Sequence, residues 1–287
     1  MPSTKELRAR IRSVSNTSKV TGAMQLIAAS KMRRAQQHVL QGKKYSETLH
    51  RLLMNLSSSV DQDQNNIPLL ERREVKTKLM ILITPERGLA GALVGNINRK
   101  ALDVINSSTV KYNILSVGKK GFRFVNSRGQ EVIEQLDIPD RPEISDTDRI
   151  SEIAIDGFID GKWDQVDIVF SEFFSTTSQI PKSQTILPIT NEEEDSVGSS
   201  HDYIYEPSSY DVLVDLTPKY VRAQIYQSIL EAFASEHSAR MVAMQNATDN
   251  ANELIGQLTL DLNKARQETI TAELLDLIGG ISALEGK

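Results

Sequence analysis

The chain has no cysteine. Disulfides, thiol nucleophiles and thiolate metal sites are therefore excluded. It has no apolar run of about 18 residues, the length a membrane-spanning helix requires. The basic start MPSTKELRARIRS lacks the apolar core of a secretory signal, and helical patterning begins at once. Neither a signal nor a transit peptide is expected. Aromatic residues make up only 5%, which suits a helix-rich rod better than a β-sandwich. The histidines, His38, His50, His201 and His237, never share the spacing of metal ligands on one face. His237, beside Glu236, reads as a hydrogen-bonded interface residue. No nucleophile, base and oxyanion donors assemble. The sequence predicts no catalytic residue, no metal and no cofactor.

Net charge is −5, unevenly spread. Residues 1–51 carry eleven Lys/Arg against Glu6 and Glu47, a balance of +9. Residues 217–287 carry −3, and the middle of the chain carries the remaining −11. A basic arm on an acidic protein asks for an acidic partner: nucleic acid, anionic lipid or an acidic protein loop.

What the chain does have is helix. From Thr217, expected as N-cap, and Pro218 at the first helical position, one helical pattern runs to Leu284. Leu216, Tyr220, Ala223, Leu230, Ala234, Met241, Met244, Ala251, Ile255, Leu258, Leu262, Ala265 and Ala272 fall on alternating steps of three and four, the a/d spacing of a coiled coil. Such a helix spans about 100 Å, whereas a compact chain of this length has a radius of gyration of about 19 Å. It needs a partner strand.

The other end supplies one. Ser3 and Glu6 form a capping box ahead of Leu7, Ile11 and Val14. The seam continues through Ala28, Met32, Ala35 and Val39, fades at Gly42, and resumes at Leu49, Leu53 and Leu56. This predicts a helix over 4–58. Ser18, Thr21 and Gln25 interrupt the seam with small or polar side chains that permit close helix approach.

Between the helices the period changes. After the polar linker 61–68, strands are expected at 78–84, 112–118, 132–136, 166–173 and 184–189. Helices are expected following the Gly-containing turn within 85–107, at 119–126, and from a cap at Ser145 or Asp146. The predicted fold is α/β: a long antiparallel coiled coil of N- and C-terminal helices with an inserted Rossmann-like α/β domain. The expected parts are the N-terminal helix 1–60, the α/β domain 76–190, an acidic loop 191–216 and the C-terminal helix 217–287. The turn from Arg87 to Asn96 has neither G-x-G-x-x-G nor G-K-[ST]. Gly88, Gly91 and Gly95 read as tight turning and close helix–sheet packing.

Specific words carry a resemblance. Residues 11–36 and 235–280, the turn from Glu86 to Gly91, and Tyr205-Glu206-Pro207 resemble γ subunits of F-type ATP synthase over nearly the whole chain. Pro85-Glu86 and Ala90 depart from the family's usual turn, and its chloroplast cysteine insert is absent. The resemblance implies a non-catalytic central rotor shaft. It couples proton flow through a membrane c ring to ATP synthesis or hydrolysis at β subunits. Implied partners are the α, β and ε subunits and the c ring, with no nucleic acid and no transmembrane segment of its own. The implied place is peripheral, at the cytoplasmic face of the cell membrane. Met24, Lys31, Arg33, Arg34, Arg266 and Gln267 match β-subunit contacts. Tyr205 and Glu206 are candidates for the c ring, and Leu274, Leu275, Leu277 and Ile278 for an apolar bearing tip. Two other readings of the residues stand beside this one: a basic coiled-coil nucleic-acid-binding protein, and a Rossmann-like nucleotide enzyme with a helical dimerisation arm.

Overall fold

The computed structural model describes residues 3–59, 67–190 and 205–285. Of the expected linker 61–68 and loop 191–216, residues 61–66 and 191–204 lie outside the described residues. The chain divides into two compact units, Met1–Ala28 with Met241–Lys287, and Ala29–Arg240.

Helix α1 runs Thr4–Ser59. Its start is the expected capping box: the Ser3 amide donates to Glu6 Oε2 (2.8 Å) and the Glu6 amide to Ser3 Oγ (3.3 Å). Strand β1 is Lys78–Ile83, helix α2 Leu93–Ser107, strand β2 Tyr112–Val117, helix α3 Lys119–Asn126 and strand β3 Val132–Leu136. Helix α4 is Asp148–Ile159, strand β4 Gln165–Phe173, strand β5 Gln179–Leu187, and helix α5 Ser209–Glu285.

The sheet order is β3-β2-β1-β4-β5, parallel except for the edge pair β4–β5. Both faces are covered, which is why β1 reads as an unbroken apolar run. Leu79, Ile81 and Ile83 share a core with Phe158 of α4, Leu49, Leu53 and Leu56 of α1, and Val221, Ile225 and Ile229 of α5. Met80 and Leu82 point the other way, onto Leu93, Ile97 and Ala101 of α2 and Val125 of α3.

Three local expectations are corrected. Helix α5 begins at Ser209, so Thr217 is not its N-cap and Pro218 lies inside it. Ser208 holds the earlier start: its Oγ accepts from the Asp211 amide (3.1 Å). Pro218 has no N–H to offer the Val214 carbonyl, and the Thr217 hydroxyl donates there instead (3.3 Å). Before α4, residues 144–147 form a 3-10 turn boxed by Glu143 and Asp146, so neither Ser145 nor Asp146 caps α4; its N-cap is Thr147. Strand β5 starts at Gln179, not 184. Its first half is a half-exposed edge without apolar periodicity, and Pro181 is tolerated there because an edge strand has a free side.

Candidate functional site

The site is a helix pair and its seat. In the larger unit α5 packs Leu213, Val221, Ile225 and Ile229 into the core, and four of its side chains also donate to backbone carbonyls at or beyond the carboxyl ends of the strands. The Ser235 hydroxyl donates to Ser171 O of β4 (2.9 Å) and the Ser238 hydroxyl to Thr176 O in the β4–β5 turn (2.6 Å). Arg240 Nη2 donates to Gly88 O in the loop after β1 (3.2 Å), and the Tyr226 hydroxyl to Pro142 O after β3 (3.2 Å). Ser235 and Ser238 are fully buried; only so small a side chain lets helix backbone come this close to a sheet edge. In open α/β sheets, ligands bind in the crevice beyond the strand ends where the order reverses. Here the loops after β1 and β4 carry two of the carbonyls that α5 binds, Gly88 O and Thr176 O.

The turn from Arg87 to Asn96 keeps its tight bend through Leu89 (φ 64°) and Gly91 (φ 57°). Close packing is not what Gly88 and Gly95 serve: a Cβ at Gly95 would meet nothing within 4 Å, and one at Gly88 only the tip of Lys120, 3.9 Å away. That role falls to Gly118 (φ 95°) and Gly121, whose Cβ positions would strike Thr84.

Charge is concentrated where α5 crosses. Arg240 and Glu236, with side chains 12% and 13% exposed, pair at 2.7 Å. Burial raises the Glu236 carboxyl above the usual range, and Arg240 opposes that rise. His237 is 4% exposed. Burial first, then the nearby cations Arg240, Lys31 and Arg34, lower its pKa to about 4, against Asp140. Its Nδ1 has no hydrogen-bond partner, so the expected hydrogen-bonded histidine is corrected. It is held neutral, with its ring set against Phe233 at 6.3 Å between centroids. Farther along, burial raises the Glu231 carboxyl while Gln227 donates to it (2.9 Å). Gln227 occupies the space left by Gly42, where a Cβ would strike its Oε1; the fading of the seam at Gly42 is thus a fit rather than a gap.

The residues matched to family contacts are not gathered into one cluster. Met24 is half-buried, while Arg33, Arg34, Arg266 and Gln267 are exposed. Lys31 pairs with Asp140 of this chain (2.5 Å), holding that carboxyl below the usual range. Tyr205 packs against the core below β1 while Glu206 is exposed. Leu274, Leu275, Leu277 and Ile278 are 54–65% exposed, a high value for four apolar side chains in a row of two turns. Sequence reasoning missed Asp140, and also Asn252 and Thr248, the partners of the seam-breaking Ser18 and Thr21. Ser18 Oγ donates to Asn252 Oδ1 (2.8 Å), and Thr21 Oγ1 lies 2.7 Å from Thr248 Oγ1. These pairs run in opposite senses along the two helices, so α1 and α5 are antiparallel.

A family model for ATP synthase matches residues 3–284. The ATP synthase gamma chain of Dehalococcoides mccartyi is 47% identical over 279 residues, covering 97% of this chain and 98% of that one. The gamma chain of Roseiflexus castenholzii is 43% identical over 288 residues, covering 99% of each. Among solved structures, a chain of the Euglena gracilis mitochondrial ATP synthase, OSCP/F1/c-ring, is similar in fold, with a TM-score of 0.69 at 20% identity over 98% of this chain and 94% of that one. Matches that run the length of both chains lead to one conclusion: the chain belongs to the ATP synthase gamma chain family.

Proposed function

We propose that this chain is the central rotor shaft of an ATP synthase, coupling ion flow through a membrane c ring to ATP synthesis or hydrolysis at the β subunits. The observation that carries the reading is the seat of α5. Helix Ser209–Glu285 is bonded to the α/β body through Ser235, Ser238 and Arg240 in the larger unit, and is paired with α1 through Thr248 and Asn252 in the smaller one. Inside a three-fold collar a two-helix shaft presents a different face to each catalytic subunit, and turning exchanges those faces. The shaft does no chemistry itself; it shifts conformational equilibria at sites remote from it.

In this reading the body sits on the c ring through Tyr205 and Glu206, with ε beside it, at the cytoplasmic face of the cell membrane. Met24, Lys31, Arg33 and Arg34 on α1, and Arg266 and Gln267 on α5, meet β-subunit loops. Lys31 exchanges its Asp140 partner for a loop carboxylate at little cost, since an exposed ion pair contributes about 0–1 kcal/mol. Leu274, Leu275, Leu277 and Ile278 serve as an apolar bearing, because apolar contacts have no directional bonds to break on rotation.

Arg266 supplies the test. A forked guanidinium–carboxylate pair contributes about 1.5–3 kcal/mol, so Arg266→Ala should lower ATP synthesis by the membrane complex about tenfold, with nucleotide affinity of isolated β unchanged. Unaltered synthesis and assembly would refute the contact.

A further inference from the structure

We infer that the hydroxyl pair Thr21–Thr248, backed by Ser18–Asn252, sets the register of α1 against α5 in the smaller unit, and that these are positioning residues for rotary coupling. The inference rests on the rotor reading for its function, though not for its geometry.

The middle of this helix pair has few fully buried apolar knobs to fix it, Ile11, Val14, Met24, Leu254 and Ile255 being only half-buried. Among the described residues of the unit, those buried are Leu7, Ala28, Met244, Ala251 and Leu258, and three of these are Ala or Met, which specify little about alignment. Between them stand Ser18, Thr21 and Gly22 on α1 and Thr248 and Asn252 on α5. A Cβ at Gly22 would lie 4.0 Å from Thr248 Cγ2, so the helices are close here.

The Thr pair is satisfied whichever way its proton points. If Thr21 donates across, Thr248 donates to its own Met244 carbonyl (2.8 Å). If Thr248 donates across, Thr21 donates to the Ser18 carbonyl (3.1 Å). A slide of one heptad would leave these hydroxyls only their intrahelical bonds and separate Ser18 from Asn252. A few polar positions in an otherwise permissive seam are how coiled coils specify register.

Register matters because the contacts assigned to the β subunits are divided between the helices, with Met24 on α1 and Arg266 and Gln267 on α5. Sliding one helix past the other changes their relative height. The shaft would still be a stable rod, carrying its contacts at the wrong levels.

The chain's lack of cysteine makes the test clean. In the full-length protein, Ser18→Cys with Asn252→Cys reports native register, and Ser18→Cys with Thr259→Cys reports a one-heptad slip. With Thr21 and Thr248 intact, the first pair should form a disulfide and the second should not. Thr21→Val with Thr248→Val keeps shape and removes both hydroxyls. It should lower the native disulfide yield roughly twofold to tenfold, the shift expected from one net hydrogen bond, and make the slipped disulfide appear. Thr21→Ser with Thr248→Ser should restore the native pattern.

In the assembled membrane complex without the cysteines, the double valine variant should pump fewer protons per ATP hydrolysed while keeping its thermal stability, and the double serine variant should not. Identical disulfide patterns with threonine and valine would overturn the register assignment. A changed pattern with full pumping would overturn the coupling role. The disulfides read register whether or not the chain turns in a motor, so failure of the rotor reading would show separately, as a wild-type complex that pumps nothing.

Discussion

The same two helices are held by different chemistry in the two units. In the larger one, α1 contributes Leu49, Leu53 and Leu56 to a core shared with the sheet, and α5 contributes Leu213, Val221, Ile225 and Ile229. In the smaller one each helix has only the other, and a two-helix pair can bury one stripe of each. Hydroxyl- and amide-bearing pairs, Thr21–Thr248 and Ser18–Asn252, stand among its buried and half-buried apolar residues, and Val20, Leu26, Ile27 and Leu260 are 58–73% exposed. Burial grips α5 to the body, whereas directed hydrogen bonds align it with α1.

The contrast is broken most severely in the larger unit. Leu53 is 0% exposed, and Leu53→Ala should cost about 2–5 kcal/mol through lost transfer energy and the cavity left behind. Thr21→Val in the smaller unit should move stability by under about 1 kcal/mol. Thermal unfolding of the two variants measures the difference directly, and equal losses would mean that the two units do not differ as described.

Next comes the ionic seat of α5. Arg240→Ala would leave Glu236 buried without its cation and Gly88 O without its donor. The expected loss is about 3 kcal/mol, with Glu236→Gln combined with Arg240→Ala recovering much of it.

The smallest effect concerns pH. With the folded-state pKa of His237 lowered to about 4 and an ordinary value of about 6.5 when unfolded, its contribution is complete above pH 6.5. It is lost as pH falls, because only the unfolded chain takes up the proton. Between pH 7.5 and 5 the protein should lose about 2 kcal/mol that His237→Gln does not lose. Parallel pH profiles of urea midpoints for the two proteins would contradict the buried neutral histidine.

Much of this was legible from sequence because the strongest signals are periodic. The α1 bounds, the five strands and their mostly parallel order followed from apolar runs and from the a/d seam, since burial on both faces or along one stripe leaves that imprint. What escaped was set by partners distant in sequence. Thr217-Pro218 has the local chemistry of a helix start, yet Ser208 caps the helix and the Thr217 hydroxyl covers the carbonyl that Pro218 leaves. Ser18 and Thr21 could be seen to interrupt the seam, but nothing local marks Asn252 and Thr248 as their partners, 234 and 227 residues away. His237 looked like a hydrogen-bonded residue because Glu236 is its neighbour; in the helix Glu236 turns to Arg240 instead.

The central claim is that this chain is a rotor that turns inside a fixed collar. The most direct measurement fixes the assembled complex to a surface through its β subunits and attaches a probe to a cysteine introduced at the exposed Ser107 on α2. ATP should drive the probe round in one direction, in three pauses per turn. A complex that assembles and hydrolyses ATP while the probe stays still would contradict the account.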